Sequence, residues 1–197
     1  MSVFNRFADA LIARTTRRPP DFVIGGQPNP YLLRWYLTPW RRWPGRARQH
    51  PTCANRIMAG LSALLPSVYL HKFLRDDDDR ALHDHPWFWC SILLRGGYVE
   101  HTIAAGGIQR RRMRNAGSVR VASPWRAHRI ELFPNTLDPA NAFETYPRLE
   151  CWTLFITGPR VRQWGFHCPE QGWVHWKRFT AAGDAGAIGP GCDGGAV

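Results

Sequence analysis

Apolar residues recur along this chain in two rhythms, and the change from one to the other divides it. Near the start, Val3, Phe4, Phe7, Ala8, Leu11 and Ile12 fall at helical spacing, which predicts an amphipathic helix over 3–14 closed by Arg17-Arg18-Pro19-Pro20. Its narrow apolar face suits docking on the rest of the domain better than lying on a membrane surface. Residues 28–51, rich in Trp, Arg and Pro, read as a short element followed by loop. From Val68 the rhythm becomes two. Residues 68–74, 82–94, 98–103, 108–114, 118–122, 128–132, 151–157, 161–167 and 173–179 read as strands divided by Gly, Asn and Pro turns. The acidic run Asp76–Asp79 reads as a solvated turn, and a Pro-bearing loop runs from Pro134 to Arg148. Eight or nine short strands predict a mainly β sandwich or small barrel. Three parts follow: a helical, basic extension over 1–60, the barrel over 61–180, and a Gly- and Ala-rich tail over 181–197 read as disordered.

Composition narrows the function classes. A chain of 197 residues, 44% hydrophobic and with ten tryptophans, has the means to build one packed domain. The formal net charge of +11 comes almost wholly from arginine, since Lys72 and Lys177 are the only lysines. Nine arginines in residues 1–50 face only Asp9 and Asp21. Such a surface can attract nucleic acid or phosphates, but a solvated face with cation–π packing on the protein itself accounts for it more simply. The five cysteines form no CxxC pair, and no apolar signal segment precedes them, so free thiols in a reducing cytoplasm are expected. The longest mostly apolar stretch, Ile57 to Leu70, contains Pro66 and is too short to span a bilayer, so no membrane partner is expected.

The candidate chemistry lies in His83-Asp84-His85 and in His128. Residues two apart on a strand share a face, so His83, His85, Trp87, Trp89, Ser91 and Leu93 point one way and Asp84, Phe88 and Cys90 the other. His128 shares its face with Ile130 and Leu132 and also points inward. A single inward histidine is ordinarily a satisfied core residue, but three are costly to bury unless a metal or carbonyls take their lone pairs. Three protein ligands leave open positions, as catalytic rather than structural sites do. Asp84 and Glu131 point away and are not assigned to the site, and Glu100 after its glycine turn reads as a surface carboxylate rather than a fourth ligand. His71 reads as a core or rim residue. His167-Cys168 with His175 matches no common zinc spacing and reads as a loop closing over the barrel. Neither a phosphate loop nor a Ser-His-Asp arrangement is apparent.

The order of His83, His85, Gly96, Gly117, Pro124 and His128 resembles the cupin superfamily over about residues 68–160. The resemblance implies a double-stranded β-helix, or jelly-roll barrel, with the metal inside it. Most metal cupins carry a glutamate four or five residues after HxH; here Trp89 and Cys90 stand there. Within the superfamily, His83-Asp84-His85, Cys90, Gly96 or Gly97, Glu100 and His128-Arg129-Ile130-Glu131 resemble the thiol dioxygenases. That implies an Fe(II) centre on His83, His85 and His128, with Cys90 beside the metal as a catalytic residue. The tyrosine of the animal enzymes has no counterpart, since Phe155, Ile156 and Thr157 stand in its region. Lys72, Arg80 and Trp87 are the candidate substrate contacts.

The expected function is therefore oxygenation of a small molecule, a thiol first, by O₂ at a three-histidine iron. Three imidazoles leave room on six-coordinate Fe(II) for a bidentate substrate and O₂ together. The same ligands accept Zn, Mn or Ni, which would suit isomerase or hydrolytic work. The alternative is a non-catalytic metal-binding cupin, or a binding module whose basic N-terminal segment contacts nucleic acid or a protein. A homodimer is an expectation from the superfamily only.

Overall fold

The computed structural model describes residues 2–25, 30–77, 81–134, 148–181 and 189–192. Helix α1 (Val3–Thr15) starts where the Ser2 side chain accepts from the Asn5 amide, and it buries Ala8 and Ile12. These pack against Trp35, Leu70, Leu94 and Trp152. The apolar stripe thus docks on the domain itself, as its narrow face suggested.

Two short strands follow, the second of them within the region read as a short element followed by loop. β1 (Phe22–Ile24) and β2 (Leu32–Tyr36) form a hairpin, and β2 pairs along β3 (Ser67–Phe73). Leu32 lies in one core cluster with Phe73, Leu93, Tyr98 and Cys151. The first sixty residues are therefore not outside the barrel, because β2 supplies part of its wall. A 3₁₀ turn (Pro39–Arg42), α2 (Trp43–Gln49) and α3 (Cys53–Ser62) then cross to β3.

The remaining strands are β4 (Leu82–His83), β5 (Trp89–Arg95), β6 (Gly97–Ile103), β7 (Gln109–Asn115), β8 (Val119–Ala122), β9 (Arg129–Leu132), β10 (Cys151–Thr157), β11 (Gly165–Cys168) and β12 (Gly172–His175). All pairings are antiparallel: one six-stranded sheet β1-β2-β3-β10-β5-β8 and two three-stranded sheets, β12-β11-β4 and β7-β6-β9. The final expected strand stops at His175 and turns into the short helix α4 (Trp176–Phe179). The fold is mainly β, with an N-terminal helix, as the period-two pattern predicts.

The two small sheets meet at one bridge, His83 to His128. Joined there, they face the six-stranded sheet across a common core in which Tyr98, Ile130 and Leu132 meet Leu32, Phe73 and Leu93. Between β5 and β6 the chain reverses on Gly96 at φ +79°, where a Cβ would stand 2.4 Å from the Glu150 carbonyl.

The C-terminal part corrects two expectations. Cys168 and Cys192 are joined by a disulfide, so free thiols are confined to Cys53, Cys90 and Cys151. Gly189–Cys192 is also ordered against the barrel: the Gly191 amide donates to the Phe179 carbonyl at 3.1 Å. The rest of the tail, most of the loop after Pro134, and Asp78, Asp79 and Arg80 lie outside the described residues. No described helix is long and apolar enough to cross a membrane.

Candidate metal centre

The site is assembled where one expected strand breaks in two. Pro86 has no N–H to give a ladder, and the 82–94 run divides around it. β4 pairs with β11, while β5 pairs with β10 and β8. The gap is held by the following loop, with Val161 N donating to Pro86 O and Gly158 N to Phe88 O. Side chains keep alternating across the break, so His83, His85, Trp87 and Trp89 all line one cavity of about 740 Å³.

Asp84 faces the other way and anchors the break. Its carboxylate, 1% exposed, accepts from Arg162 Nη1 (2.6 Å), Gly165 N (2.9 Å) and Trp173 Nε1 (3.0 Å), with His167 Nε2 at 3.2 Å. Burial by itself would raise the Asp84 carboxyl; the His167 and Arg162 contacts and the Gly165 amide outweigh it and hold the group below its ordinary value. His167 and Cys168 are thus committed to Asp84 and to the disulfide, which dissolves the weak zinc reading of that loop.

His128 sits opposite His83, and each amide donates to the other's carbonyl at 2.9 Å. The backbone therefore fixes two of the three imidazoles before any side chain is considered. His85 Nε2 then approaches His128 Nε2 to 2.9 Å, and one nitrogen from each of His83, His85 and His128 lies within 4.8 Å of the others. Trp89 stacks on His128 at 4.9 Å and meets His85 edge-on at 5.3 Å, which limits their rotation. Burial, with the neighbouring histidines, drives His83 down to about 4 and His85 well below its ordinary value, against a partial pull upward on His83 from Asp77. Both are neutral near pH 7, the form that offers a lone pair.

The residues fit a metal ion. Neighbouring ligands about 2.1 Å from one ion at right angles stand about 3.0 Å apart, close to the Nε2 pair. Carboxylates lie near two of the rings. Asp77 Oδ2 lies 3.7 Å from His83 Nδ1, and Glu100 Oε1 lies 3.5 Å from His128 Nδ1. Neither separation is a formed hydrogen bond, and His128 Nδ1 is buried without one. Both carboxylates are placed to orient the rings, as acceptors behind ligating histidines do.

No family model matches the chain. No curated protein matches it either. Solved structures resemble it only distantly. An oxalate oxidase in complex with glycolate aligns at TM-score 0.36 and 13% identity over 51% of this chain and 45% of its own. A cupin-like protein from Thermotoga maritima aligns at 0.40 and 14% over 79% and 88%, and the Fe(II) form of HppE at 0.42 and 12% over 73% and 57%. The matched region spans about half the length of the oxalate oxidase chains.

The other expected site residues fare differently. Trp87 lines the cavity and stacks on His85 at 6.4 Å. Cys90 does not: β5 turns Trp89 and Ser91 inward, which sends Cys90 to the outer face opposite Ile156 and Val121. A thiol there cannot lie beside the three imidazoles. Lys72 also faces out, with Nζ 2.7 Å from Glu150 Oε1 and over the Trp152 ring. Arg80 lies outside the described residues.

Sequence reasoning missed three charged groups. Asp77, in the acidic run that reads as a solvated turn, is 9% exposed and accepts from Ile130 N at 2.6 Å. Glu100, which its glycine turn suggests is a surface carboxylate, is 2% exposed and holds Arg114 (2.7 Å) and Arg120 (2.9 Å). Burial works to raise its carboxyl, but His128 and the two arginines prevail and keep it far below the usual range. The arginines hold it more firmly than His128, whose contact is longer. The third group is Arg34 of β2, which lines the cavity and donates from Nε to His71 Nε2 at 2.8 Å. Its guanidinium lies over Tyr69 at 5.0 Å and meets no carboxylate among the described residues. Alternation within Leu32–Tyr36 was the signal that could have found it: Leu32 in the core puts Arg34 on the same inward face.

Proposed function

We propose that this protein is a metal-dependent cupin-type oxygenase acting on a small anionic molecule. One observation carries the reading: three imidazoles converge in a cavity whose wall also presents Arg34, which meets no carboxylate among the described residues. His83, His85 and His128 would hold the ion, with Asp77 and Glu100 behind two of them. Fe(II) held there would supply O₂ activation, and the same ligands also accept Zn, Mn or Ni.

The chain's own residues perform the rest. Arg34 offers a planar, permanently charged fork for a carboxylate, and His71 orients it by accepting from Nε. His71 itself is held well below its ordinary value by burial and by Arg34, so it adds no competing charge. Trp87, Trp89 and Phe155 enclose the substrate body and exclude water. A thiol remains one substrate class to test, but with Cys90 on the outer face it rests on the sequence resemblance alone.

The test has two stages. Protein supplied with Fe(II) under anaerobic conditions should retain about one ion per chain, and His85→Ala or His128→Ala should lose it. Oxygen consumption is then followed with thiol carboxylates and aromatic carboxylates in parallel. Arg34→Met should raise KM for the active carboxylate while kcat changes less. A folded, metal-supplied protein that retains no ion would sink the whole reading. Retained metal without oxygen uptake on either panel would leave the non-catalytic metal-binding alternative.

A further inference from the structure

Strands β7 and β8 are outer edges of their sheets, and a cleft of about 300 Å³ opens between them. In the register of β6 with β7, Arg110, Arg112 and Arg114 stand opposite Thr102, Glu100 and Tyr98, sharing the face of Glu100. Arg120 of β8 and Arg126 of the following loop close the other side. With Arg111, which pairs with Glu131, six arginines thus line a cleft that holds one carboxylate. Glu100 engages Arg114 and Arg120. Arg110, Arg112 and Arg126 are exposed, and among the described residues none has an ion pair or a side-chain hydrogen bond.

Charges on edge strands often serve only to block pairing with another chain. Edge protection requires charges spread along an edge. Here they converge from two sheets and a loop into one concavity, against mutual repulsion that nothing in the cleft offsets beyond Glu100. An anion would offset it. Guanidinium forks match the oxygen geometry of phosphate, singly or in pairs. No aromatic ring lines the cleft, so it has no platform on which a base could stack.

We propose that the β7–β8 cleft binds a small phosphate-bearing anion, through Arg110, Arg112 and Arg126 with help from Arg114 and Arg120. It opens outside the histidine cavity, with Glu100 lying between the two, and does not depend on what that cavity binds.

Inorganic pyrophosphate titrated calorimetrically into the full chain tests this at low and physiological ionic strength. Binding should weaken with salt. Arg112→Gln and Arg126→Gln should each reduce affinity about tenfold without lowering the melting temperature, because neither holds an internal partner. His85→Ala should bind pyrophosphate as the parent does, since the ion at the histidines is not the receptor. Equal affinity in the arginine variants, or loss confined to His85→Ala, would overturn the proposal. So would an oligonucleotide that binds the cleft and is not displaced by pyrophosphate, which would make it a nucleic-acid groove.

Discussion

Glu100→Gln is the most informative single change, because one carboxylate serves both the histidine centre and the arginine cleft. The substitution keeps the shape and removes the charge. Glu100 is 2% exposed, and the side chains of its partners Arg114 and Arg120 are 13% and 17% exposed. Removing one member of a buried ion pair costs about 3–5 kcal/mol, chiefly because the other charge is stranded. Both arginines line the open cleft, so the lower end, about 3 kcal/mol, applies. In a domain of this size that lowers Tm by roughly 6–12 °C, readable by circular dichroism. Loss of the carboxylate behind His128 should also weaken metal binding about 10–100-fold. Adding Arg120→Gln should cost less than the sum of the two single changes, because the stranded charge is removed with its partner. If Glu100→Gln melts within about 0.5 kcal/mol of the parent and keeps its metal affinity, Glu100 is neither counter-ion nor ring anchor and the reasoning fails.

Other consequences are equally accessible. Asp84→Asn should destabilise by about 2–4 kcal/mol, since Arg162 and three other donors converge on that carboxylate; urea denaturation measures it, and no change in midpoint would refute the anchor. Burial raises Asp21 less than Arg18, the Tyr36 amide and Arg42 lower it, so its folded value lies below the unfolded one. Its stability contribution is therefore present above about pH 4 and lost as pH falls through the folded value. Asp21→Asn should flatten that acid limb, and an unchanged limb would assign it elsewhere. Opening Cys168–Cys192, 24 residues apart, should cost about 3 kcal/mol by loop entropy. Melting of Cys192→Ser with and without reductant checks this, since the variant should be insensitive to reduction.

How much of this was legible beforehand follows from which residues obey simple patterning. The strands from Val68 onward alternate against an apolar core, and β10 falls where the sequence put it, at Cys151–Thr157. The three histidines were legible because the same parity that buries Leu93 also directs His83 and His85 inward. β2 was obscured because its inward positions include Arg34, and an inward arginine inverts the rule that exposes a strand. Asp77 and Glu100 were obscured by a related inversion. Each looks like a solvated acid near a turn until another strand, β9 for Asp77 and β7 and β8 for Glu100, supplies its donors. The Cys168–Cys192 pair needed the tail's position, which no spacing encodes.

Cys90 is the instructive failure, because parity already argued against it. It lies an odd number of positions from both His83 and His85, so an unbroken strand places it on the opposite face. Only a bulge or a break that inserts one residue could bring it round. The chain does break at Pro86, yet His85, Trp87 and Trp89 remain on the cavity side through it. Within β5 the register against β10 shifts only between Trp152 and Thr153, near Arg95 and far from Cys90. The thiol position that resemblance placed beside the metal is thus filled by Trp89, an indole stacked on His128. Under the proposed function, a wall of that kind would favour an apolar or aromatic substrate body, with Arg34 taking its charged end.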